Sequence, residues 1–392
     1  MTPQRIYVGG WFQRTSLHLS EIQDFLASGT SELALDPVKL TELRAQLDIR
    51  EVTRHLYELE SLIVETKGLS VRIYEDGLVV LSTDGTAGGT TEADIKRLTD
   101  YYEKKLSPAF SYLFSLGAPV PKELANIKTV YPYFVVLDNA SHEEITALLA
   151  QFGETKRLEK PEVGFELFRG SKLHIINNKS ESLDDIERLI EEQIFLREFK
   201  TQLHRYLNLH RIIWERIAEV KERGSIDGKS IGEFKGKLEG YAKTINLIEA
   251  RISQMGAYLH TRERIAKTDT RLKHFENILD YRYETLGDSL QYIRDIWTMT
   301  KNYIASAKDL FNSLDAQATQ NSVRNLTVVT SMGVGATLIG LFTAAAPKFT
   351  SFGIWYFIIL TAVGYAADRL TRWFYRHKVY TISSPDYDKN IA

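Results

Sequence analysis

The chain has no cysteine among its 392 residues, and its nine prolines leave a gap from Pro161 to Pro347. Without thiols there is neither a disulfide framework nor a thiolate metal site, a composition that fits a reducing compartment. Without proline, nearly half the chain is free to form uninterrupted helix. Excess charge is also missing: 49 basic residues face 51 acidic ones, for a net charge of −2. That balance argues against a general nucleic-acid binder, which needs a basic surface. Enzyme signatures are absent too, and no catalytic residue is assigned. The loop Asp84–Asp94 follows a strand and precedes a helix, as a phosphate loop would, but it has no Gly-Lys-Ser/Thr ending. His142-Glu143-Glu144 lacks a second histidine four residues on, and His204 and His210 fall on different helix faces. The opening MTPQRIYVGGWFQRTS has no apolar core of the kind a signal peptide carries.

Two charge-free runs stand out, Leu326–Ala346 and Phe349–Ala367, separated by Pro347 and Lys348. Each is long enough as a helix to cross the ~30 Å hydrocarbon core of a bilayer. The expectation is a transmembrane hairpin, with spans at 326–346 and 349–367, in contact with membrane lipid. Arg369, Arg372, Arg376 and Lys378 form a basic inner ring in the tail 368–392, whereas the tip offers only Lys348. Positive residues stay on the cytoplasmic side. The sequence thus predicts a multi-pass protein of the cell's inner (plasma) membrane with both termini cytoplasmic.

Before the hairpin, residues 1–180 alternate between strand and helix patterns. Arg5–Phe12 reads as a strand, and Pro37 to Thr66 reads as helix, broken near Asp48. Leu69–Tyr74 and Leu78–Ser82 flank Asp76-Gly77, a hairpin turn. A helix from Glu92 to Leu116 should bend or split at Pro108. Thr129–Leu137 is a strand, and Ser141 caps the next helix with Glu144 as its capping-box partner. Val163–Phe168 and Lys172–Ile176 form a second hairpin. One reading is a duplicated β-α-β-β-α unit; the other is coincidence. From 181 to 325 the pattern is long helices, a coiled-coil-like stalk: Leu183–Arg223, a break at Gly224–Gly228, and helix onward from Ser230 or Gly232. The last helix, from about Thr270, should run on into the first span.

Thr330, Gly333, Thr337, Gly340 and Ala344 repeat at spacings of three and four, a stripe that suits a pore face in an oligomer or packing against the second span. Ala345, Ala346 and Lys348 would stand at the pore mouth. Glu276, Asp280, Glu284 and Asp288 recur every fourth residue, forming either a carboxylate site for hydrated Mg²⁺ or Ca²⁺ or a solvated helix face.

The opening Leu326-Thr327-Val328-Val329, the mid-span Thr337 and the apolar approach Leu338-Ile339-Gly340 resemble the CorA family of divalent-cation channels. Arg372, Arg376 and Lys378 stand where that family has its terminal basic residues. The resemblance implies an α+β cytoplasmic domain, long stalk helices and a C-terminal two-helix transmembrane hairpin, assembled as a homopentamer. It also implies ion transport gated by the cytoplasmic domain, with Mg²⁺ as transported or regulatory ion. The family's Gly-Met-Asn signature would fall on Ala344-Ala345-Ala346, and its acidic loop is replaced by Pro347–Ser351. Mg²⁺ selectivity should therefore be altered or lost. A second reading is a membrane-anchored effector triggered by a small cytoplasmic ligand.

Overall fold

The structure, a computed structural model, describes residues 2–11, 18–57, 59–86, 89–116, 132–154, 164–221 and 225–343, with single residues and short stretches between 355 and 381. It divides into two compact units. The first comprises Met1–Leu207 and Arg251–Ile293, and the second Asn208–Ala250 and Arg294–Ala392.

The first unit is built on an eight-stranded sheet. Its strands are β1 (Arg5–Trp11), β2 (Ile49–His55), β3 (Ser61–Thr66), β4 (Ser70–Tyr74), β5 (Leu78–Asp84), β6 (Tyr133–Asp138), β7 (Phe165–Arg169) and β8 (Leu173–Asn178). They lie in the order β2-β3-β4-β5-β1-β6-β8-β7. All neighbours are antiparallel except β6 and β8. In the first half the sheet neighbour of the leading strand is antiparallel (β1 with β5), and in the second it is parallel (β6 with β8). The halves thus share an order of neighbours but not a strand direction.

Alternation along the strands gives the sheet two apolar faces. Ile6, Val8, Val135, Leu137 and Ile175 belong to the core that packs beneath the short helices α1 (Leu19–Ser28), α2 (Pro37–Gln46), α3 (Thr91–Tyr101), α4 (Ser107–Leu113) and α5 (His142–Gln151). The opposite face carries Trp11, stacked on Phe199, and Phe165, set edge-on to Phe275. It is covered by parts of three long helices: α6 (Leu183–Lys221), α7 (Ile231–Thr268) and α8 (Glu276–Thr343). Gly9 permits this close approach. A Cβ there would come within 2.6 Å of the Val79 carbonyl oxygen and 3.2 Å of the Ile194 side chain.

Local signals act as expected at several joints. Ser141 and Glu144 form the capping box that starts α5. Gly77 takes φ +94° in the β4–β5 turn. Between α3 and α4 a π-helical turn at Tyr102–Leu106 precedes Pro108, which sits in the first turn of α4. The helix expected over 37–66 stops at Gln46. Asp48 adopts the left-handed conformation, φ +52°, and β2 and β3 follow. The β-branched residues Val52, Thr53, Ile63 and Val64 favour the pleated surface over a helix.

In the second unit, Trp214 stacks on Tyr303 at 4.4 Å and His210 lies edge-on to Trp297. Lys301 pairs with Glu249 at 2.6 Å. Ser225–Asp227 and Val379–Thr381, here β9 and β10, pair as a short antiparallel ribbon.

The expected membrane hairpin is corrected. Among the described residues no helix is long and apolar enough to cross a membrane. The multi-pass inner-membrane placement is corrected with it, and the fold is a mixed α/β domain with long helices. Over 326–343 the structure describes a helical backbone, and most of the side chains there lie outside the described residues. This segment is the end of one 68-residue helix. Residues 344–354, including the expected tip, lie outside the described residues.

Candidate functional site

Three strands of the first unit carry a floor. Phe134 on β6 is paired with His174 on β8, and His174 is paired in turn with Arg169 on β7. The three side chains therefore lie side by side on the face turned to the long helices, with the Phe134 and His174 rings 4.9 Å apart and edge-on. One wall comes from α6. Gln193, Leu196, Arg197, Lys200, Leu203, His204 and Leu207 recur at spacings of three and four, and so share one helical face. The other wall is the stretch of α8 from Tyr281 to Ile293. Together they enclose a cavity of about 860 Å³, within the range of ~300–1,000 Å³ usual for small organic ligands.

Its charge is concentrated at one place. The Gln193 side-chain oxygen accepts from Arg169 Nη2 at 3.0 Å and from Arg282 Nη1 at 2.5 Å. The two guanidinium nitrogens are thus at most 5.5 Å apart (3.0 + 2.5). At an effective dielectric near 20, two unit charges at that distance repel by about 3 kcal/mol. Gln193 is only 5% exposed, and its Nε2 makes no hydrogen bond. A buried amide N–H without an acceptor costs about 1–3 kcal/mol. Beside it, His174 Nδ1 is likewise buried without a partner. Burial, and then the cations Arg169, Arg197 and Arg282, push the His174 pKa down to about 3, so the ring is neutral at physiological pH.

Arg197 has a different task. It donates to the Glu198 carboxylate at 3.0 Å, to the Pro132 carbonyl at 3.0 Å and to the Gly9 carbonyl at 2.8 Å, which ties α6 to the sheet. Asp288 is the single carboxylate among the cavity's lining residues, and it is exposed. The arrangement offers two cations joined through one amide oxygen, a buried amide nitrogen without an acceptor, a neutral imidazole and aliphatic walls. It suits an organic anion.

A buried ionic cluster holds this geometry from behind. Arg262 on α7 is 1% exposed and donates through Nε to Asp76 at 2.5 Å and through Nη1 to Glu192 at 2.8 Å. Tyr283 donates to the same Glu192 carboxylate. Asp76 sits in the β4–β5 turn, where its other oxygen accepts from the Leu78 amide and its carbonyl from Trp11 Nε1. Arg262 also lies over the rings of Tyr74 and Phe195. Glu192 and Tyr283 are the chain neighbours of Gln193 and Arg282, so fixing one pair fixes the rotation of the other.

A second cavity of about 590 Å³ lies over β1, β4 and β5. Its arginines are already paired: Arg5 with Asp84 at 2.7 Å, and Arg72 with Glu187 at 3.3 Å and Glu191 at 2.5 Å. The first cavity, with its aliphatic walls, is the candidate.

Of the residues singled out from the sequence, Asp288 lines the cavity, while Glu276, Asp280 and Glu284 lie elsewhere on α8 and do not. Among the described residues no group of three or more His, Asp or Glu is placed to hold a metal ion. Thr330 is exposed, and Gly333, Thr337 and Gly340 lie within α8. Ala344, Ala345, Ala346, Lys348, Arg372 and Arg376 lie outside the described residues, and Arg369 and Lys378 are exposed. Arg169, His174, Gln193 and Arg282 were not singled out. The one available signal was the mixture of cations and leucines at helical spacing along 193–207.

No family model and no curated protein matches the chain. Solved structures do. The CorA magnesium transporter from Methanocaldococcus jannaschii is 12% identical, with a TM-score of 0.32 over 64% of this chain and 92% of that one. The full-length CmaX protein is 12% identical, with a TM-score of 0.30 over 66% of this chain and 94% of that one. Likeness at that level carries no functional argument.

Proposed function

We propose that the first unit is a binding module for a small organic anion, the ligand-responsive part of the protein. One observation carries this reading: Arg169 and Arg282 converge on the side-chain oxygen of Gln193, a residue that lines the cavity and whose buried Nε2 has no acceptor. An oxyanion placed there would take the free amide hydrogen and offset the repulsion between the guanidinium groups. An ion-conducting role rests on the resemblance alone and draws on no residue of this cavity.

The test is ligand-induced stabilisation of the full chain across a panel of carboxylates and phosphates. A ligand at about 100 times its Kd should stabilise the protein by about 2.7 kcal/mol. Arg282→Gln and Gln193→Leu should each weaken binding at least ~10-fold and so cut that gain to about 1.4 kcal/mol or less. If no anion stabilises the protein, or if the gain is undiminished by both substitutions, the reading fails.

A further inference from the structure

Resting on that reading, we infer that the ligand is a single-chain amphipathic anion: a carboxylate or phosphate head bearing an unbranched apolar tail. The cavity is graded along its helices. The head-group cations Arg169 and Arg282, joined through Gln193, are at one end. From Gln193 to Leu207, fourteen residues on, α6 rises ~21 Å, and Leu196, Leu203 and Leu207 line the cavity over that length. Leu286 and Ile293 line it from α8.

The cavity is graded across as well. The aliphatic lining residues Leu196, Leu203 and Leu286 are covered, at 3%, 3% and 6% exposure, whereas the polar Lys200, His204 and Asp288 are exposed. A compact anion would satisfy the head end and leave the apolar length without a partner. A tail laid along the leucines fills it, with the exposed rings of Tyr281 and Tyr292 at the rim.

The experiment measures binding of acetate, octanoate, dodecanoate and dodecanol to the full chain, each below its micelle-forming concentration, with AMP and inorganic phosphate alongside. Each buried methylene should tighten binding about fourfold, so dodecanoate, four methylenes longer, should bind roughly 250-fold better than octanoate. Dodecanol, lacking the head charge, should bind at least ~10-fold more weakly than dodecanoate. Arg282→Gln should close that gap without altering the chain-length series. Affinity independent of chain length, or AMP or phosphate binding as tightly as dodecanoate, would refute the tail while leaving the anion site standing. Absence of binding by every anion would refute both. The chain-length series uses the unmodified protein, so a variant that fails to fold cannot mask the answer.

Discussion

Replacing Arg262 by methionine should unfold the first unit more readily than almost any other single change, in a pH-dependent way. The guanidinium is fully enclosed and holds Asp76 and Glu192 at 2.5 and 2.8 Å. Methionine fills similar volume but leaves two buried carboxylates without their cation. Removing one partner of a buried ion pair costs about 3–5 kcal/mol, a large part of the ~5–15 kcal/mol that holds a domain folded. Glu192 sets the sign with pH. Burial already raises its pKa above the ordinary carboxylate value, with Arg262 the main opposing influence. A group with a raised folded pKa binds more protons folded than unfolded. Its contribution is therefore complete below the unfolded pKa and is lost as pH rises through the folded one. Without Arg262 that folded pKa climbs further, so the variant's deficit should be greatest at pH 8 and shrink towards pH 5. Urea denaturation at both pH values measures it. Adding Glu192→Gln and Asp76→Asn to the variant should recover much of the loss. A deficit under about 1 kcal/mol, or one equal at the two pH values, would refute this account of the cluster.

Further outcomes follow from single contacts. The pKa of His174 is depressed to about 3, so acid favours the unfolded chain, whose histidine takes up a proton first. Between pH 6.5 and pH 5 the protein should lose about 2 kcal/mol, and His174→Asn should flatten that slope in chemical denaturation. Gly9→Ala would place a Cβ 2.6 Å from the Val79 carbonyl oxygen. The resulting loss of about 1–3 kcal/mol should appear as a lower Tm. Ser141→Ala removes the cap of α5 and should cost about 1 kcal/mol in the same assay.

Much of the fold was legible because its signals are local. The Asp76-Gly77 turn, the Ser141–Glu144 box and the alternation in β6 and β8 each need only a few neighbouring residues. The region 49–66 was misread because its strand signal is spread over charged β-branched segments that also match a helical spacing. The site was harder still. Arg169 falls at the end of a short hairpin strand, Gln193 lies in the middle of a helix, and Arg282 follows 89 positions later. Only the register of β7 and β8 and the packing of α6 and α8 bring them together. No spacing rule in the sequence encodes an amide oxygen shared by two guanidinium groups.

The buried cluster also sets a schedule for synthesis. Asp76 meets Arg262 across 186 positions and Glu192 meets Tyr283 across 91, and between the two parts of the first unit the chain makes 208–250, which belong to the second. At ~5–20 residues per second, Glu192 leaves the ribosome about 5–18 s before Tyr283 can reach it. Until Arg262 emerges, 70 residues after Glu192, the sheet has strands β1 to β8 but lacks the portions of α7 and α8 that cover one face. The nascent protein must carry an uncovered apolar surface with an unpaired acidic patch at its centre. A chaperone that holds such surfaces should therefore engage this chain most strongly when it has grown past about residue 200 and release it once Tyr283 has arrived.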